Sequence, residues 1–327
     1  MARRPTGDGD NGRGGSKADA TRETWDFSAN DEIGDDLVVI RAIGGGERYE
    51  VFEAWDRRLF TQVAVKVLRP HRLLEERSLS ALRRESEIGS RLAHPNLVRL
   101  LRWSDQLPHP HIVLELVAAR SVEDHLEEIG PLRVPDLCLL GIRMLAALQY
   151  MHAAGVLHLD VKPANMTMGA PPRLLDLSLA RPALELRLDR IVGTPAYMAP
   201  EQCLRETLTP ATDLFGLGAT LYEALTAMQP FSEGDDGADE LEAQFPQLVE
   251  DPLPLHDQLP GIPAALDSLV MSCLARDPRR RPSRAVDCAL ALEEIIGSLS
   301  LNESRAWPKG LRVLPAEGNG TWPAAKP

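Results

Sequence analysis

The sequence predicts an α+β fold in two unequal parts: a small antiparallel sheet carrying one helix, then a larger, mainly helical part. Two observations carry this. Three β-branched, alternating runs crowd into residues 37–69 with short connections between them. From residue 134 onward the apolar pattern takes the helical period over four long segments.

With 44% hydrophobic and 26% charged residues over 327 positions, the chain can bury a large core. A net charge of -12 argues against nucleic-acid binding, which needs clustered Lys and Arg. Cys138, Cys203, Cys273 and Cys288 lack C-x-x-C spacing. They read as buried thiols in a reducing compartment, not as a zinc site. The polar N-terminus has no signal-peptide core. No apolar run is read as reaching the roughly 20 residues of a membrane helix. A cytoplasmic protein without membrane insertion is expected.

Residues 1–34 are rich in Gly, Asp, Arg and Ser and are expected to form a disordered tail. "LVVIRAI" (37–43) is apolar and β-branched, "RYEVFEAWD" (48–56) alternates, and "QVAVKVLR" (62–69) gives a third strand of a meander. A helix follows over about 80–92, with Ala81, Glu85, Ile88 and Leu92 on one face. "NLVRLLRW" and "HIVLELV" add two strands, closing a first lobe at 35–117. The second lobe, 118–299, holds helices at 134–155, 213–226, 266–278 and 283–299, with Gly155 as a helix stop. Residues 300–327, with four prolines and two tryptophans (Trp307, Trp322), form a C-terminal tail.

Four stretches carry chemistry. "IGGGERYEV" (43–51) is a glycine-rich turn between two strands, where a missing Cβ lets backbone approach phosphate. Strand followed by strand is neither a dinucleotide fold nor a P-loop. Lys66 lies in a strand, and Glu85 stands in the apolar stripe of the next helix, where an unpaired carboxylate is costly. An ion pair between them answers that cost. "HLDVKPAN" (158–165) and "RLLDLSLAR" (173–181) bring Asp160, Lys162, Asn165 and Asp176 into short loops. Carboxylate and amide oxygens suit Mg2+ beside phosphate, and a lysine can neutralise a transferring phosphoryl group.

Taken in order, these residues resemble the eukaryotic-type Ser/Thr protein kinase family, in a soluble bacterial form. Further motifs agree. "HPN" (94–96) begins nine residues past Glu85, "GTPAYMAPE" (193–201) resembles the end of an activation loop, and "DLFGLG" (213–218) the helix under the catalytic loop. "DPRRRPS" (277–283) supplies Arg281 as a partner for Glu201.

The resemblance implies the bilobal kinase fold over 35–299 and a reaction with ATP and Mg2+, or Mn2+ in its place, on protein Ser or Thr hydroxyls. It gives Lys66 the α and β phosphates with Glu85 fixing its ammonium. Asp160 takes the substrate hydroxyl, Lys162 the γ-phosphoryl charge, and Asn165 and Asp176 the metal. Gly44 and Gly46 cover the phosphates. Leu114 is the gatekeeper, Glu115 and Val117 meet adenine through their backbone, and Val51, Ala64 and Thr167 sandwich its ring.

Three positions depart from the family. Tyr49 replaces the third glycine of G-x-G-x-x-G, Ser178 the glycine of D-F-G, and Leu159 the arginine of H-R-D. That arginine answers a phosphate on the activation loop, and residues 179–193 contain no Ser, Thr or Tyr. Both halves of the switch are missing, so the loop is expected to be held by packing through Leu184, Leu186 and Leu188. On this reading Leu159 removes a regulatory input, not a catalytic group, and Leu159→Arg should change little. The alternatives are a pseudokinase acting as a nucleotide-binding regulatory or scaffold module, and a small-molecule phosphotransferase; the latter should lack "GTPAYMAPE" and "DPRRRPS".

Overall fold

A computed structural model describes residues 23–183 and 187–299. Its first lobe is a six-stranded sheet in the order β1-β2-β3-β4-β6-β5. The strands are β1 Glu32–Ile33, β2 Leu37–Gly45, β3 Tyr49–Asp56, β4 Thr61–Leu68, β5 Leu100–Ser104 and β6 His111–Glu115. All neighbours pair antiparallel. The expected meander is β2-β3-β4, and alternation buries Phe52, Ala54, Val63, Val65 and Val67 in one cluster.

Helix α1, Glu76–Arg91, packs on this sheet and starts before the expected residue 80. Its apolar stripe marks only the buried face, and the first turn carries Glu76 and Arg77 outside that stripe. Ala81, Glu85, Ile88 and Leu92 are all buried, as their spacing requires.

The second lobe is built on α3 (Val134–Ala153), α5 (Pro210–Thr226), α8 (Ala264–Cys273) and α9 (Ala285–Ser298). Short helices α2 (Val122–Glu128), α4 (Pro200–Cys203), α6 (Leu241–Gln244) and α7 (Leu255–Gln258) surround them, with a strand pair β7 (Val156–Leu157) and β8 (Arg181–Pro182). Gly155 ends the α3 turn at φ +71°, a conformation glycine adopts without strain. Helix α3 is long and apolar enough to cross a membrane, contrary to the sequence expectation. Its apolar length is used in the core, where Leu137, Leu140, Met144, Leu145, Leu148 and Met151 are buried.

Residues 23–34 also differ from the expected disordered tail. Trp25 stacks on Phe27, Phe27 meets Phe52 edge-on, and Trp25 Nε1 donates to the Leu68 carbonyl at 2.8 Å. Two aromatics are enough to seat an otherwise polar segment on the sheet. Residues 1–22, the loop anchors Leu184 and Leu186, and Trp307 and Trp322 lie outside the described residues.

Candidate active site

A cleft of about 880 Å³ separates the lobes, a volume suited to a nucleotide. Gly44, Gly46, Val51, Ala64, Lys66, Leu114, Glu115, Val117, Lys162, Asn165 and Asp176 all line it. Nothing stands within 4 Å of where a Cβ would sit at Gly44 or Gly46, so the loop is open toward a ligand. Of the glycines in this loop, Gly45 has least room: a Cβ there would stand 2.9 Å from the Tyr49 carbonyl oxygen.

Glu85 and Lys66 meet as the spacing argument requires. Lys66 Nζ donates to Glu85 Oε1 at 2.7 Å and to Asp176 Oδ1 at 2.6 Å. Burial alone would depress the Lys66 pKa, but the Asp176 and Glu85 carboxylates hold its ammonium well above the usual range. Enclosure pushes the Asp176 carboxyl up, yet Lys66 and the Ser178 N–H outweigh it and hold Asp176 below the carboxylate range. Burial raises Glu85, and the Lys66 charge opposes this without cancelling it.

The second group forms in the loop after α3. Thr194 Oγ1 donates to Asp160 Oδ1 at 2.8 Å and accepts from Lys162 Nζ at 2.6 Å. Lys162 Nζ lies 3.1 Å from Asp160 Oδ2. Asn165 Nδ2 donates to the Asp160 carbonyl at 2.9 Å and to its carboxylate at 3.0 Å, which leaves the amide oxygen uncommitted to Asp160.

The scaffold beneath is a set of buried polar anchors. Asp213, in the first turn of α5, accepts from the backbone N–H of His158 at 2.9 Å and of Leu159 at 2.8 Å. Glu201 and Arg281 form a two-pronged pair at 2.6 and 2.8 Å, as expected from the sequence.

Three placements correct or extend the sequence reading. Thr167 is not part of the cleft lining: its hydroxyl accepts from the Arg173 N–H at 2.8 Å and it bridges to Ser121. Ala164 and Leu175 line the cleft instead. Ser178, in the place of a glycine, has no positive φ; the left-handed residue of the triplet is Asp176, at φ +58°. Two residues went unnoticed. Arg69 Nε donates to the Gly46 carbonyl at 2.7 Å, fastening the glycine-rich loop. Gln202 Nε2 donates to the carbonyls of Leu159 at 3.1 Å and Val192 at 3.2 Å. Neither has a signal in sequence, since both act on distant backbone oxygens.

Metal fit follows from donor chemistry. Asn165 and Asp176 offer oxygens at the cleft, while no three His, Cys, Asp or Glu side chains among the described residues form a metal cage. An oxygen-seeking ion that draws its other ligands from phosphate and water suits this set.

The comparisons with known proteins agree with this geometry. The protein kinase domain model matches residues 37–294. A probable serine/threonine-protein kinase of Corynebacterium efficiens is 30% identical over 277 residues, covering 80% of this chain and 41% of the relative. The serine/threonine-protein kinase PknB of Mycobacterium leprae is 30% identical over 266 residues, covering 78% and 41%. A probable serine/threonine-protein kinase of Streptomyces coelicolor is 29% identical over 297 residues, covering 87% and 43%. The chain thus spans about two fifths of the length of these curated relatives. With the family model covering most of the chain and the lysine, the paired glutamate and the loop aspartate meeting across one cleft, this chain belongs to the protein kinase family.

Proposed function

We propose that the chain transfers the γ-phosphoryl group of ATP to Ser or Thr hydroxyls of proteins, using Mg2+ or Mn2+, through a catalytic domain spanning residues 35–299. The observation that carries this is the joined Glu85–Lys66–Asp176 set at a cleft that Lys162, 3.1 Å from Asp160, also lines. Lys66 holds the α and β phosphates, with Glu85 fixing its direction. Asp160 orients the acceptor hydroxyl and takes its proton. Lys162 meets the charge of the transferring group, and Asn165 and Asp176 hold the divalent ion. That ion, when bound, neutralises phosphate oxygens as charge develops on them.

The adenine contacts are read as Val51, Ala64, Leu114 and the backbone of Glu115 and Val117. Action in the cytoplasm on protein partners, without nucleic acid, belongs to the same reading. So does independence from activation-loop phosphorylation. Leu159 is buried with Leu157 and Leu208, and Leu179, Ala183 and Leu188 pack on them. An apolar contact stands where a phosphate–arginine contact would be needed.

The test is transfer of labelled γ-phosphate to the chain itself and to a basic carrier protein, beside Asp160→Asn. Label that disappears in the variant while nucleotide affinity stays supports the reading. Nucleotide binding without any transfer in the wild-type chain replaces it with a non-catalytic binding module.

A further inference from the structure

Tyr49, at the place of a motif glycine, is turned inward and is only 5% exposed. It opens β3 opposite Leu68, while Lys66 pairs with Val51 two residues further on. Tyr49 and Lys66 therefore share one face of the sheet, the face that looks at α1. The tyrosine ring packs on Leu68, Leu82 and Ile112. The Lys66 ammonium lies over it, 4.7 Å from the ring centroid.

The hydroxyl does not explain this placement. Tyr49 Oη is buried with no hydrogen-bond partner among the described residues, a cost the fold accepts to keep the ring inside. The ring has a better account. An ammonium has three N–H donors. Glu85 and Asp176 each accept from Lys66, and the π face of Tyr49 is a third neighbour of the same charge.

We propose that Tyr49 is a positioning residue for phosphoryl transfer, its ring face keeping the Lys66 ammonium in place when Asp176 turns to the metal and Lys66 to the nucleotide. This rests on the roles assigned above to Lys66 and Asp176. The Asp176 oxygen that now accepts from Lys66 cannot serve the ion undisturbed. Once it turns away, a four-carbon side chain with many rotamers is left with Glu85 alone. A fixed aromatic wall removes most of that freedom. The lid has given up a glycine and gained a holder for its phosphate-binding lysine.

The experiment measures ATP KM, kcat and melting temperature for the full chain, Tyr49→Leu, Tyr49→Phe and Lys66→Met, with ATP affinity by titration. Leucine keeps apolar bulk but has no π face. Tyr49→Leu should raise ATP KM about five- to thirtyfold, the range of a desolvated cation–π contact, with kcat within about threefold of wild type. Tyr49→Phe should restore KM to within about threefold and melt no lower than wild type, because it drops an unpaired hydroxyl. In a Lys66→Met background Tyr49→Leu should cost little more. An unchanged KM in Tyr49→Leu, or a loss in Tyr49→Phe as large as in Tyr49→Leu, overturns the proposal. If Lys66→Met leaves ATP affinity unchanged, the lysine reading falls and the Tyr49 role with it. If Lys66→Met weakens ATP but Tyr49→Leu does not, the role of Tyr49 falls alone.

Discussion

Leu159 holds a left-handed conformation at φ +68°, which costs a residue with a Cβ roughly 1–2 kcal/mol. Its surroundings offset that cost from three directions: Asp213 accepts its N–H, Gln202 donates to its carbonyl, and Leu157, Leu208 and Leu188 pack on its side chain. This burial revises the expectation that Leu159→Arg changes little. At 3% exposure a guanidinium there would displace apolar packing with Leu157, Leu208 and Leu188 and lose its water. The variant should lose on the order of 2–4 kcal/mol of stability, exchange amide hydrogens faster at 179–183 and 187–192, and transfer phosphate more slowly. Unchanged melting and exchange would remove the packing account of this loop. The sequence showed that the arginine was missing and that no acceptor faced it. It could not show the replacement contact, because Leu208 lies 49 residues from Leu159 and the strands β7 and β8 are too short to carry a period. The Lys66–Glu85 pair was legible because a carboxylate in an apolar stripe requires a partner. The hydrogen bond from the Arg173 N–H to the Thr167 hydroxyl was not legible, because it joins a side chain to the backbone of a neighbouring segment.

Helix α5 does more than fill the core. Its first turn presents Asp213, whose two oxygens hold the backbone of His158 and Leu159 and the ring of His152 at 2.8 Å. Burial works against the Asp213 charge, but these hydrogen bonds outweigh it and hold the pKa below the usual value. A depressed carboxylate pKa contributes stability that is present above the unfolded-state value, about 3.9, and is lost as pH falls through the folded value. Asp213→Asn should therefore destabilise the chain by about 2–3 kcal/mol near neutrality, with the gap to wild type closing below pH ~4. Melting curves from pH 7 to 3 check this, and a gap that does not narrow would assign the anchor to packing instead. The long elements were readable because each keeps one period for two turns or five strand residues. Strand β1, with two residues, and the Trp25–Phe27 contact had no period to read. Their signal is two aromatics in a polar stretch, visible only once Phe52 is placed beneath them.

Among the bonds between the lobes, the contact of Lys66 in β4 with Asp176 is charged at both ends, as is that of Glu115 with Arg173. On the proposed roles, the Asp176 oxygen that accepts from Lys66 is one that the divalent ion would also use. Binding of nucleotide with metal must therefore exchange one charged contact for another, and the exchange should be visible in stability. A ligand at about 100 times its Kd stabilises a fold by about 2.7 kcal/mol. For the wild-type chain, ATP with Mg2+ should raise the melting temperature more than ATP alone. Asp176→Asn keeps an oxygen but loses the charge. It should melt lower than wild type without ligand, because Lys66 then lacks one of its two carboxylates. It should keep the shift given by ATP alone and lose most of the extra shift given by Mg2+. An extra shift of wild-type size in Asp176→Asn would move the metal away from Asp176, and leave the pair with Lys66 as a lobe-to-lobe tie only.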